Sequence, residues 1–299
     1  MNLRKKIRRK FLYTVANALR FVPDKWMLTA QYFVWTKNWM HWKNPQRFSE
    51  KMQYYKVFYR DSNMFPCTDK YLVRDYVKKR LGNDDILNTL YQVCDSAEEI
   101  DFEKLPAQFV IKTTDGGNGD NIVICKDKQT LNVEKTIREV NGWRNKKYYI
   151  ISREWAYKGD VKPRIVVEKF LFDNDNPDGQ IDDYKFLCYH GKFRFLWLDK
   201  DRYTDHRRCY FDGKLNFLKG CSDYPTMEVA PHLPTNINEM IDIAQKLAEP
   251  FPFARVDLYN IGGKIIFGEI TFYPASGYNT YKPDSFDFEL GKYFDIKKL

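Results

Sequence analysis

Apolar positions along the chain change period several times, and each change marks an element. Leu3, Ile7, Phe11, Val15, Ala18 and Val22 recur at helical spacing until Pro23 stops the pattern. Asn44-Pro45 offers a cap followed by proline at the first helical position, and Phe48, Met52, Tyr55 and Phe58 continue as a helical stripe. A second helix is expected from about Thr68 to Leu81, ended by Gly82. Strands are predicted over 86–94, at Phe109-Val110-Ile111, over 122–125, 165–171, 184–189 and 193–198, and in a closing hairpin of 254–259 and 264–272. Helices are predicted over 129–147 and 237–248, whereas 200–235, with Pro225, Pro231 and Pro234, reads as irregular. Hairpins and helices without steady strand–helix alternation predict an α+β fold, not a doubly wound parallel sheet.

Composition narrows the class. A hydrophobic share of 43% excludes a disordered chain, and 21 Tyr with 22 Phe point to half-buried sheet surfaces. The six cysteines form no CxxC pair and lie near no histidine at metal-ligand spacing, so they read as free thiols. The net charge is +9, and Met1 to Val22 holds seven bases and no acid. A basic amphipathic helix of this kind either lies on an anionic membrane surface or packs its apolar stripe on its own domain. Ala16-Asn17-Ala18 mimics a signal-peptide cleavage site, but the apolar run before it is short and holds Tyr13 and Thr14. No stretch is long and apolar enough to span a membrane.

Three places carry candidate chemistry. The first is the strand–loop–strand at 109–125, where Gly116, Gly117 and Gly119 let backbone N–H groups approach phosphate oxygens and Lys112 ends the preceding strand. A hairpin with a flexible tip would use the same glycines. The second is the closing hairpin, with Asp257 on one strand and Glu269 and Thr271 on the other. A three-residue loop at 261–263 would set Asp257 opposite Phe267, with Glu269 its diagonal neighbour on the same face, suited to sharing a Mg²⁺ with phosphates. A two-residue loop would put the carboxylates on opposite faces. An ion pair with Arg255 or Lys264 is the competing reading. The third is Val166 to Leu171, where Glu168 can accept bonds from a ribose. Asp183-Tyr184-Lys185 and the Arg202, His206, Arg207, Arg208 cluster add charge that can receive an anionic substrate or stay solvated. The four histidines are too scattered for a triad or a metal site, and nucleic-acid binding would explain the basic segment but not the hairpin.

The order of these pieces resembles the ATP-grasp superfamily. Asp69-Lys70 looks like its first ATP lysine, Lys112 with Gly116, Gly117 and Gly119 like its second lysine and phosphate lid, and Glu168-Lys169-Phe170-Leu171 like its adenine and ribose hinge. Arg255-Val-Asp257 and Glu269-Ile-Thr271 look like its magnesium hairpin, although Thr271 stands where D-alanine–D-alanine ligases carry Asn. Over about 44–290 the chain is more closely similar to the TupA-like ATP-grasp family, named from teichuronopeptide biosynthesis. The matching pieces include Phe48-Ser49-Glu50-Lys51, Asp69-Lys70-Tyr71 with Arg74, Asp183-Tyr184-Lys185-Phe186, and Gly268 to Pro274 with Ser276-Gly277.

The resemblance implies two α+β lobes sandwiching ATP: a helical segment 1–60, then a catalytic region 61–299 with a glycine-loop lobe at about 105–170 and a hairpin lobe at about 171–299. It implies a carboxylate–amine ligase that uses ATP and Mg²⁺ and acts on an acidic glycan or an amino acid, with a sugar kinase or a glycosyltransferase of polysaccharide biosynthesis as alternatives. Arg255 and Lys185 are its expected catalytic cations, with Arg202, Arg207 and Ser276 as candidate substrate contacts. Use of ATP implies a cytoplasmic site, peripheral on the inner face of the membrane if residues 1–22 bind lipid.

Overall fold

The computed structural model describes residues 14–116, 121–143, 149–159, 161–176, 178–219, 221 and 224–299. Gly117, Gly119 and the first half of the predicted N-terminal helix lie outside the described residues.

Two antiparallel sheets organise the chain. The smaller has the order β1-β4-β2-β3, formed by Leu90–Cys94, Ile165–Lys169, Phe109–Thr113 and Ile122–Cys125. Helix α5 (Val133–Asn141) lies beside it, and Val140, Trp143, Ile111, Ile165 and Val167 share one apolar core. The larger sheet has the order β7-β6-β5-β8-β9, formed by Arg207–Asp212, Lys192–Lys200, Asp183–Tyr189, Phe253–Ile261 and Lys264–Thr271. Its core takes in Phe186, Leu196 and Trp197 with residues of α2 (Phe48–Phe58), α7 (Ile237–Ala248) and α8 (Ser285–Lys292). Two separate cores under two all-antiparallel sheets make the fold α+β, as the missing alternation predicts.

Several boundaries differ from the sequence pattern for identifiable reasons. Helix α2 starts at Phe48, not at Pro45, because the Glu50 carboxylate reaches back and accepts from the Gln46 and Arg47 amides at 2.8 and 3.0 Å. The strand expected over 86–94 is shortened to β1; ahead of it the Ile86 carbonyl accepts from the Phe267 amide of the other sheet at 2.7 Å. Strand β7 lies inside the stretch that reads as irregular. Its opening Arg207-Arg208 masks a buried run, Cys209-Tyr210-Phe211, while Arg208 pairs with Asp199 of β6 at 2.6 Å. The remaining helices are α1 (Asp24–Thr36), α3 (Met64–Thr68), α4 (Val73–Leu81) and α6 (Tyr149–Ser152). No helix among the described residues is long and apolar enough to cross a membrane.

Candidate active site

The closing hairpin carries the site's acids, and its turn differs from the one expected. The loop is two residues, Gly262-Gly263, both at positive φ (57° and 84°), with Ile261 opposite Lys264. That turn alone would put Asp257 and Glu269 on opposite faces. A β-bulge between Asp257 and Leu258 restores the register: Leu258 faces Phe267, and Asp257 directly faces Glu269. Gly268 makes the bulge possible, because a Cβ there would sit 2.9 Å from the Asp257 carbonyl oxygen.

The same register lines up a row of charge across three strands. Lys185 on β5 faces Asp257 on β8, which faces Glu269 on β9; one step along, Arg255 faces Thr271. Arg255 donates through Nε and Nη2 to the two oxygens of Asp257, both at 2.7 Å, and through Nη2 to Glu269 at 2.8 Å and Thr271 at 3.0 Å. The Thr271 hydroxyl in turn donates to Glu269 at 2.8 Å. Arg255, not Lys264, is thus the hairpin's ion-pair partner.

Burial sets the electrostatics. It pushes the Asp257 carboxyl up to about 6, against the pull of Arg255 and Lys185 and with the help of Asp183 and Glu269. Burial also works against the Glu269 carboxylate, but Arg255, Lys70 and Lys185 outweigh it and hold the group at about 2. The two acids of the row are therefore unequal: Glu269 opens to the cleft, and Asp257 sits behind the guanidinium.

Lys185 lies beside the hairpin, on the same face of the sheet. Its ammonium contacts Asp183 and lies 3.3 Å from Asp257 and 3.6 Å from Asp199. Like Asp257, it is absent from the cleft wall. Arg202 donates to Asp183 at 2.6 Å, and Arg207 to Asp205 at 2.6 Å. Neither lines the cleft: Arg207 opens β7, two strands removed from β8.

Between the two sheets lies a cleft of about 1020 Å³. Lys70, Arg74, Lys112, Gly116 and Glu168 line it from one side, and Arg255, Glu269, Thr271 and Ser276 from the other. Lys112 and Glu168 are diagonal neighbours on β2 and β4, with the ammonium 2.9 Å from the carboxylate. Lys70 follows Asp69, whose carboxylate accepts from the Tyr71 and Leu72 amides at 2.9 Å each. The Lys70 ammonium donates to the Gly116 carbonyl, and burial lowers its pKa. Leu171 lines the cleft, whereas Lys169 and Phe170 do not; Lys169 is held at both backbone groups by Thr89 and Asn88, at 2.9 Å each. Ser276 lines it from a tight turn in which Ala275 and Ser276 both have positive φ (45° and 57°), and both Ser276 oxygens accept from buried Lys56 at 2.8 Å.

Arg74 and Asp115 are among the lining residues without a role predicted from sequence. Arg74 reaches within 3.8 Å of Glu168, and its i, i+4 spacing from Lys70 was the available signal. Asp115, its pKa raised by burial, sits at the neck of the glycine loop, where one acid among glycines gives no warning.

Two opposed carboxylates and a hydroxyl are oxygen donors of the kind Mg²⁺ takes, and all three accept from Arg255, whose guanidinium would have to turn aside for an ion to bind between them. Among the described residues no group of three or more His, Cys, Asp or Glu forms a protein-only metal cage.

Two antiparallel sheets with a cleft between them, lined by Lys70 and Lys112 on one side and by Arg255 and Glu269 on the other, match the arrangement expected of an ATP-grasp protein. The chain belongs to the TupA-like ATP-grasp family, whose model matches residues 50–295. A search of curated proteins found no match. Among solved structures it is similar to D-alanine–D-alanine ligase from Bacillus anthracis (16% identity, TM-score 0.46, 78% of this chain and 68% of that one). It is also similar to the Helicobacter pylori D-alanine–D-alanine ligase (17%, 0.40, 77% and 61%) and to the L-amino acid ligase of Bacillus licheniformis (16%, 0.42, 72% and 45%). The chain thus spans between 45% and 68% of the length of these proteins.

Proposed function

We propose that the protein joins a carboxylate to an amine at the expense of ATP, and that the product is an amino-acid or amine modification of a surface polysaccharide or its precursor. The observation that carries the reaction is Arg255 and Glu269 lining one cleft with Lys70 and Lys112, with Asp257 and Lys185 paired behind them in the same row. The substrate class rests on family membership.

In this reading Lys70 and Lys112 hold the ATP phosphates, and Asp257 and Glu269 would hold magnesium. When bound, the ion supplies charge neutralisation at the phosphate oxygens. A substrate carboxylate oxygen bonds to the γ-phosphorus as ADP leaves. An amine nitrogen then bonds to the acyl carbon of the resulting acylphosphate; phosphate departs and takes up the nitrogen's proton. Arg255, an always-charged fork facing the cleft, stabilises the transferred phosphoryl group. The lobes exclude water, which would otherwise hydrolyse the acylphosphate.

The test is ADP and phosphate release with MgATP and paired panels of uronic-acid glycans and amines. The reading expects release that needs both partners and that Asp257→Asn abolishes while the protein stays folded. ADP release with a sugar alcohol and no amine would instead identify a kinase. Turnover of a nucleotide sugar without ATP would identify a glycosyltransferase.

A further inference from the structure

Helix α1 turns its apolar side the wrong way for a helix that only packs. Leu28, Tyr32 and Thr36 face inward, yet the opposite face carries Trp26, Ala30, Phe33 and Val34. Trp26 is 72% exposed and Val34 59%. Beyond the helix, Trp39 stacks on Phe33 with ring centres 4.6 Å apart and is itself 67% exposed, and ahead of it Phe21 is 81% exposed. A contiguous patch of large apolar and indole groups on one face marks an interaction surface.

The patch is fixed in place. Arg153 donates to the Leu19 carbonyl at 2.8 Å and to Asp24 at 3.0 Å, Gln31 donates to the Ile151 carbonyl at 2.8 Å, and Trp42 donates to Thr29 at 2.8 Å.

Charge selects the occupant. Residues 1–43 hold ten Lys and Arg against one acid, Asp24, so the segment carries the chain's whole net charge of +9 and the remaining residues balance. Arg20, Lys25, Lys37 and Lys43 flank the aromatic face itself. Two copies meeting through this face would bring like charge against like charge. An anionic lipid surface takes both components, because tryptophan rings settle at the headgroup level and basic side chains bind the negative surface.

We propose that the outer face of α1, with Phe21 and Trp39, docks the protein on an anionic lipid bilayer. The surface is held on the catalytic lobes through Arg153 and Gln31. Trp35 of the same helix lines the cleft, so docking sets the cleft wall within about one helix diameter, ~10 Å, of the lipid. The docking itself does not depend on the ligase reading, since it is measured without ATP.

The experiment is co-sedimentation of the full chain with vesicles of phosphatidylcholine, with and without phosphatidylglycerol, at low and high salt. Wild type should bind the mixed vesicles about tenfold or more tighter than the neutral ones, and lose that advantage in salt. The double variant Trp26→Ser, Val34→Ser should weaken binding to the mixed vesicles by about tenfold or more, with circular dichroism and MgATP binding unchanged. Equal binding by the variant and wild type would overturn the proposal, since the basic segment alone would then suffice. So would absence of vesicle binding, or a wild-type dimer in solution that the variant abolishes.

Discussion

Lys185 holds together acids that would otherwise repel. Asp183, Asp199 and Asp257 converge on its ammonium, and all four groups are buried. Removing one partner from a buried ionic cluster typically costs about 3–5 kcal/mol, because the remaining charges stay desolvated. Lys185→Met should therefore lower stability by roughly that amount in urea unfolding, and weaken MgATP binding through displacement of Asp257. A variant with wild-type stability but lost turnover would return Lys185 to direct contact with the reacting groups. The Asp183-Tyr184-Lys185 motif was visible in the sequence, but its position was not. Only the pairing of β5 with β8 sets Lys185 opposite Asp257.

The β8–β9 hairpin is the element on which the site depends most. Its acids were legible, and so was the idea that they share a face, but the expected loop length was wrong. The facing is produced by two glycine devices, a two-residue turn and a bulge six residues from its start. A bulge leaves little trace in a hydrophobic pattern, because Ile265, Ile266 and Phe267 are apolar on both faces of the strand. Gly268→Ala should push the added methyl against the Asp257 carbonyl, cost about 1–3 kcal/mol and weaken MgATP binding. Gly262→Ala, with nothing near its Cβ, should cost about 1 kcal/mol from left-handed strain and leave MgATP affinity unchanged. Thermal unfolding with a nucleotide titration of both variants checks the contrast; equal affinity in the two would separate the bulge from the site. Strand β7 was hidden by the opposite effect, since paired arginines at its start outweigh three buried residues in a polarity count.

At the scale of the whole molecule, the α+β class and the placement of candidate residues on two sheets followed from periodicity and motif order. The cleft between the lobes followed only from the family resemblance that the motif order carries, because periodicity does not say how two separate cores sit together. That assembly joins Lys70, Lys112, Glu168, Arg255, Glu269 and Thr271 around one space, sets Asp257 and Lys185 behind that wall, and leaves Arg202 and Arg207 outside it. The central claim is that this space binds MgATP through groups from both sides, and isothermal titration of wild type, Lys112→Ala and Asp257→Asn with ATP, in the presence and absence of Mg²⁺, tests it most directly. The account predicts magnesium-dependent binding by wild type, weakened at least about tenfold in each variant, which is a loss of about 1.4 kcal/mol or more. Absence of ATP binding by well-folded wild type, or undiminished magnesium-dependent binding in both variants, would contradict it.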